Sequence, residues 1–341
     1  MQNRRDNRFD ALRFIAALMV LFGHAYALSG NAELDPLFQA LGFVRLGDVG
    51  VSVFFVLSGY LVTQSLERST DVGRFLWRRA VRIYPALWAV VVLCLVVLGP
   101  LVTNASGADY WKIAVTRDYV FNATGYWIRF PLPGVFESNP WPGAVNGSLW
   151  SLPYELTCYL VLAGMGVLPG GLRTKVWLCF LSFGGLWCWY LFFGTLPSLA
   201  ILPGFDAFHA KLGATFFLGA VLSLCRSSLQ PRLWQSALGL IFVVLLDAGP
   251  LRILFTQLAV AWLAVTLAHE NRLLPKVPEK MGDWSYGLYL YGFPVQQTLA
   301  HLGAHQQGIW AYIIWSIVCT LPLAAASWYC IEKPVLQRLR S

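Results

Sequence analysis

Phe9-Asp10-Ala11-Leu12-Arg13-Phe14-Ile15-Ala16-Ala17-Leu18-Met19-Val20-Leu21-Phe22-Gly23-His24-Ala25-Tyr26-Ala27-Leu28 is long and apolar enough to cross a bilayer as one helix, yet it carries two ionisable side chains, Arg13 and His24. A spanning helix needs about 20 mostly apolar residues. Nine more such stretches follow, at 49–66, 80–102, 147–168, 176–194, 208–225, 233–247, 252–269, 284–302 and 309–331. Those at 233–247 and 252–269 are the weakest, because they are short and only Asp247-Ala248-Gly249-Pro250 divides them.

Composition agrees. The chain of 341 residues is 57% hydrophobic and 12% charged, against roughly 25% charged in soluble domains, and its mean hydropathy is +0.58. A soluble fold of this length could not bury that much apolar surface. Fifteen Trp and 14 Tyr suit a protein that meets two membrane interfaces. The net charge of +8 raises nucleic acid as a partner, but the placement of the cations points to membrane topology. With the N-terminus inside, inner segments hold 18 Lys and Arg and outer segments hold 6, with Arg13 inside the first span. That alternation fits the excess of Lys and Arg in cytoplasmic loops. The chain therefore reads as all-α: a polytopic transmembrane helix bundle of about ten spanning helices with both termini cytoplasmic, forming one membrane domain over residues 1–341.

Arg4, Arg5 and Arg8 ahead of an apolar run, with Ala25-Tyr26-Ala27 behind it, imitate a cleavable signal peptide. The many later spans favour an uncleaved first helix that orients the protein. The seven cysteines show no CxxC or Cys/His ligand spacing and read as small buried hydrophobes, and no metal site is expected. The longest outer connection, 103–146, is rich in Trp, Tyr, Phe, Pro and Asn. Disordered segments are poor in aromatics, so an ordered cap over an outer-facing cavity is expected. An interfacial aromatic belt is the plainer alternative.

Ionisable groups inside a membrane are costly and mark function. Arg13 and His24 are 11 residues apart, which returns them to within about 20° of one helical face and roughly 16 Å apart along the axis. Alone, Arg13 could be snorkelling to headgroups and His24 could be an interhelical hydrogen bond. Together they suit a long donor with an anionic head and a reactive far end, which is the shape of a coenzyme A thioester. Arg78-Arg79-Ala80-Val81-Arg82-Ile83-Tyr84-Pro85 opens the third span, with Arg79 and Arg82 on one face. Guanidinium groups suit phosphate, although cytoplasmic arginines are also ordinary topology signals. Gly147-Ser148-Leu149-Trp150-Ser151-Leu152-Pro153-Tyr154-Glu155 puts Glu155 in the fourth span. A buried carboxylate there needs a partner, which His24 or an arginine could be. Phe55-Val56-Leu57-Ser58-Gly59-Tyr60-Leu61 reads as a close-packing segment.

These segments together resemble the acyltransferase-3 family of membrane O-acyltransferases. The matches are 8–17 leading to His24, then 50–61, 78–85 and 148–155, then Ser285-Tyr286-Gly287-Leu288-Tyr289-Leu290 and the closing Glu332-Lys333-Pro334, in family order. The resemblance implies about ten spans in the inner (cytoplasmic) membrane. It implies acyl-CoA, in the first place acetyl-CoA, as donor and an extracytoplasmic or lipid-linked carbohydrate as acceptor. It also implies that His24 is the catalytic histidine and that Arg13, Arg79 and Arg82 hold the donor. Glu155 joins His24 as a catalytic candidate, and Asp10, Ser148, Trp150 and Tyr286 are supporting candidates. One departure stands out: relatives often have a histidine shortly after Ser-Tyr-x-x-Tyr-Leu, where this chain has Gly292. His301 and His305 are out of register with it. Some relatives append an SGNH hydrolase-like domain, which is not expected here, so transfer would be direct or by hand-over to another polysaccharide-assembly protein.

Two mechanisms are open at this level. His24 could act as general base on the acceptor hydroxyl with Glu155 orienting it, or it could itself be acylated first. A secondary transporter of a small polar or anionic solute is the alternative function. The paired, broken half-repeats common in transporters are not found in the sequence. A non-catalytic scaffold in a polysaccharide machine is the third reading. Membrane lipid is an expected partner and nucleic acid is not.

Overall fold

The computed structural model describes residues 7–69, 71–197, 204–269, 274 and 282–338, and every regular element among them is helical. Arg4, Arg5, Arg272, Lys276, Lys280 and Arg340, all part of the charge count, lie outside the described residues. Each of the ten apolar stretches coincides with a helix. Seven helices among the described residues have the length and hydropathy to cross a membrane. Leu152–Val167, Leu233–Leu245 and Ser285–His301 are shorter, at 16, 13 and 17 residues. The protein is thus a multi-pass helical membrane protein.

Two boundaries differ from expectation. The helix carrying the arginine cluster starts at Val72, not near 80. Asp71 caps it, accepting from Gly73 N at 2.9 Å and Arg74 N at 3.3 Å. Arg78, Arg79 and Arg82 therefore lie within the helix and not at its mouth. Conversely, Gly147–Ser151 is a 3₁₀ turn, and the α-helix begins only at Leu152. Pro153, which lacks an N–H, is tolerated in that first turn.

The chain divides into two compact units. One comprises 1–13, 51–77 and 154–278. Its helices Leu46–Glu67 and Ala207–Leu224 touch backbone to backbone. A Cβ on Gly59 would stand 1.9 Å from the Phe216 carbonyl oxygen, and one on Gly219 would stand 2.1 Å from that of Val56. Small residues permit such contacts in membrane helices. Lipid-facing surface is plain on Leu172–Phe193 and Leu233–Leu245, where Leu178, Leu181, Phe193, Ile241 and Leu245 are exposed. In water such a face would be an aggregation site. The cysteines are all unpaired, but only Cys94 and Cys158 are fully buried and Cys330 is exposed.

The second unit comprises 14–50, 78–153 and 279–341. Here Asn7–Leu28 meets the start of Leu46–Glu67 at glycines: a Cβ on Gly23 would stand 2.6 Å from Gly47 N, and one on Gly50 would stand 2.6 Å from Ala16 O. Residues 103–146 are ordered by polar contacts, and part of this segment runs back along the arginine helix. Tyr110 Oη donates to Leu95 O at 2.9 Å, Trp88 Nε1 to Ala123 O at 3.0 Å and Tyr84 Oη to Thr124 O at 3.0 Å. Thr103 Oγ1 ties the base of the excursion to Pro133 O at 2.6 Å. The nineteen steps from 84 to 103 correspond to roughly 28 Å of helix, so this part of the segment follows the arginine helix over much of its length. Its return arm, 139–146, packs elsewhere, on Ser285–His301.

Candidate active site

His24 lies near the end of Asn7–Leu28, a single helix that also carries Asp10 and Arg13. The histidine residue is partly exposed. It meets the ring of Phe293 edge to face, with centroids 5.2 Å apart. Phe293 belongs to Ser285–His301, a helix tied to the His24 helix one turn earlier, where Gln296 Nε2 donates to Leu21 O at 2.8 Å. Below them Ala25, Tyr26, Ala144, Phe293 and Tyr312 share one hydrophobic cluster.

Pro294 sits inside that helix. A proline has no N–H to give the carbonyl four residues back, here that of Leu290. Asn146 Nδ2 donates to Leu290 O instead, at 2.9 Å. The same amide caps the 3₁₀ turn Gly147–Ser151, its Oδ1 accepting from Ser148 N at 3.2 Å. Gly147 is thereby set against Phe293, and Ser148 follows with a buried hydroxyl that has no hydrogen-bond partner among the described residues. Tyr289 Oη donates to Ser148 O at 2.7 Å and pairs with Ser151 Oγ at 2.6 Å. Trp150 lies in the same turn, partly exposed. His24 and Ser148 therefore both adjoin the Phe293 ring or its immediate neighbour.

At the arginine cluster, Arg82 is held by two carboxylates, Glu332 Oε2 at 3.0 Å and Asp283 Oδ2 at 2.5 Å. Ser327 Oγ donates to the other Glu332 oxygen at 3.1 Å. The guanidinium also lies 5.7 Å from the Tyr286 ring centroid, and Tyr286 Oη donates to Ile83 O at 3.1 Å. Arg82 thus joins the arginine motif to the segments around Ser285-Tyr286 and Glu332-Lys333-Pro334. A phosphate would compete there with two carboxylates. Arg79, one turn away, is partly exposed.

Asp10, Arg13 and Glu155 belong to the other unit. Asp10 and Arg13 are partly exposed and share a helical face at i, i+3. Glu155 has hydroxyl partners: its Oε1 accepts from Ser58 Oγ at 3.0 Å and from Tyr159 Oη, and Ser58 and Tyr159 are 2.7 Å apart. Ser58 and Gly59 in the Phe55–Leu61 motif thus do different work, one binding a carboxylate and the other admitting a helix. Sequence reasoning missed Asp283, Phe293, Asn146 and Tyr159. Tyr159 could have been found from its i, i+4 spacing to Glu155, and Asn146 from Pro294 only once the pairing was seen.

A Cβ at Gly292 would stand 3.4 Å from Leu21 Cδ1, so a side chain there would project onto the His24 helix. His301 is exposed, its ring 5.9 Å from that of Phe136. His305 Nδ1 is buried without a partner among the described residues. Among the described residues no group of three His, Cys, Asp or Glu side chains could hold a metal.

A family model described as an acyltransferase domain matches residues 6–329. The O-acetyl transferase of Shigella phage Sf6 is 29% identical, over 98% of this chain and 97% of its own. Nodulation protein 10 of Rhizobium leguminosarum bv. viciae is 30% identical, over 97% of this chain and 93% of its own. The peptidoglycan O-acetyltransferase OatA of Listeria monocytogenes is 27% identical over 96% of this chain, which matches 55% of that protein. No solved structure matches.

Proposed function

The chain belongs to the acyltransferase-3 family, and on that premise we propose that it carries an acetyl group from cytoplasmic acyl-CoA to a hydroxyl of an extracytoplasmic or lipid-linked carbohydrate. The enzyme class, an acyltransferase of groups other than aminoacyl, follows from the family itself. Donor, sidedness, acceptor and inner-membrane location are our reading. One observation carries it: Arg13 and His24 stand on one unbroken helix, Asn7–Leu28. The donor's phosphates lie at the arginine end and its thioester reaches the histidine.

Neutral His24 accepts the proton of the acceptor hydroxyl as its oxygen attacks the thioester carbonyl carbon. The C–S bond breaks, and the proton passes to the departing thiolate. Arg13 and Arg79 supply the phosphate contacts. Arg82, braced by Asp283 and Glu332, fixes the arginine helix. The unpartnered Ser148 hydroxyl is available to an acceptor or thioester oxygen. Trp150 lines the turn beside it, and Tyr286 supports Arg82. Glu155 acts as a carboxylate whose orientation Ser58 and Tyr159 set, and Asp10 supports Arg13. Trp141, exposed on the return arm of 103–146, offers a flat face to a sugar ring.

The test is vectorial transfer in sealed proteoliposomes, with radiolabelled acetyl-CoA on the side of the N-terminal arginines and a panel of envelope glycans on the other. Label should reach a glycan only with this arrangement. Wild-type protein that neither binds nor consumes acyl-CoA, including longer acyl donors, would remove the donor assignment.

A further inference from the structure

We propose that Phe293 is a positioning residue for His24: its ring, packed closely against Gly147, sets the orientation of the imidazole. The inference rests on His24 being the reacting group, and it adds a residue that this role requires.

Three contacts converge on one ring. On one side the His24 imidazole meets Phe293 edge to face, at 5.2 Å between centroids and 82° between planes. Edge-to-face contact is a favoured geometry for aromatic rings. Gly147 supplies the second contact: a Cβ there would stand 2.4 Å from Phe293 Cε2 and 2.5 Å from Cζ. Real Cβ atoms essentially never come so close, so with any other residue at 147 either the ring or the backbone at 147 must shift. The third contact is the hydrophobic cluster of Ala25, Tyr26, Ala144 and Tyr312 around Phe293, which leaves it 6% exposed. Asn146 prevents Gly147 from drifting, because its amide is bonded to the Leu290 carbonyl that Pro294 leaves open. Rigidity thus runs from Pro294 through Leu290, Asn146 and Gly147 to Phe293, and from there to the imidazole. The glycine of the Gly147-Ser148 motif is explained by this contact. Its backbone φ does not fall in the left-handed region, so conformational freedom is not what position 147 requires.

The helix that holds His24 is itself fixed by Gly23 against Gly47 and by Gln296 on Leu21. Those contacts set where the Cα of residue 24 stands. They leave the rotation of the ring about its own side-chain bonds open, and Phe293 restricts it. A misplacement of about 1 Å at a reacting group can lower a rate about a hundredfold.

The experiment combines spectroscopy with a double-mutant cycle, on full-length protein in nanodiscs labelled with [13Cε1]histidine. The chain has five histidines, and the His24 resonance is assigned by its absence from His24→Ala. In Phe293→Leu the His24 resonance should move through loss of the ring current, while those of His209 and His269 stay in place. Acyl transfer should fall about ten- to hundredfold in kcat with donor KM little changed. Gly147→Ala should impair transfer alone, yet add nothing to Phe293→Leu, since the smaller side chain makes room for the new methyl. Such non-additivity marks a shared contact. A His24 resonance unmoved in Phe293→Leu, or losses that multiply in the double variant, would overturn the inference. An inactive wild type whose His24 resonance still responds to Phe293→Leu would sink the acyl-transfer reading and leave the contact standing.

Discussion

Arg82 donates to Glu332 at 3.0 Å, and Glu332 is 2% exposed, so the closing Glu-Lys-Pro segment is anchored on the arginine helix by a buried ion pair. Breaking such a pair leaves an uncompensated charge, which typically costs about 3–5 kcal/mol. Arg82→Ala should therefore lower the thermal stability of the detergent-solubilised protein markedly. Glu332→Gln should cost less, about 1–3 kcal/mol, because the amide retains an acceptor. If Arg82 were only a donor ligand, Arg82→Ala would weaken acyl-CoA binding and leave the unfolding temperature unchanged.

Gly59 faces a backbone carbonyl at a distance that admits no methyl group. Gly59→Ala should destabilise the protein by about 1–3 kcal/mol or more. Gly184→Ala is the control, since nothing lies within 4 Å of the added carbon, and it should be neutral or slightly stabilising through helix propensity. Thermal unfolding of both variants checks the pair.

Glu155 takes hydrogen bonds from Ser58 and Tyr159. Hydrogen bonds to a charged acceptor contribute about 1.5–3 kcal/mol. Tyr159→Phe and Ser58→Ala should each reduce turnover, and together they should approach the activity of Glu155→Gln. Turnover of Tyr159→Phe at the wild-type level would show that the orientation of Glu155 is set by other groups.

Trp141 should matter to the acceptor and not to the donor. Loss of one aromatic contact of about 1 kcal/mol predicts a several-fold rise in acceptor KM for Trp141→Ala, with donor KM unchanged. Steady-state kinetics with each substrate varied separately measures both.

Hydropathy placed every long helix, because lipid demands a continuous apolar stretch and little else. It misplaced the start of the arginine helix, where Arg74, Arg78, Arg79 and Arg82 hide a helix that Asp71 caps. Arg13 and His24 were legible as a pair because helical periodicity alone puts them on one face. The surroundings of His24 were not. Phe293, Gly147 and Asn146 come from segments about 150 residues apart in the chain, and their meeting depends on tertiary packing. Asp283 was invisible for the same reason, since nothing local distinguishes it from a loop carboxylate. The course of 103–133 along Tyr84 and Trp88 was equally hidden, as backbone carbonyls accept those bonds and carry no sequence signature.

The most direct measurement is single-turnover loss of the acetyl-CoA thioester with acceptor present, in wild type beside His24→Ala, with donor binding determined on the same samples. The account predicts that His24→Ala binds acetyl-CoA as wild type does and leaves the thioester intact. Thioester loss and transfer at the wild-type rate in His24→Ala would contradict it.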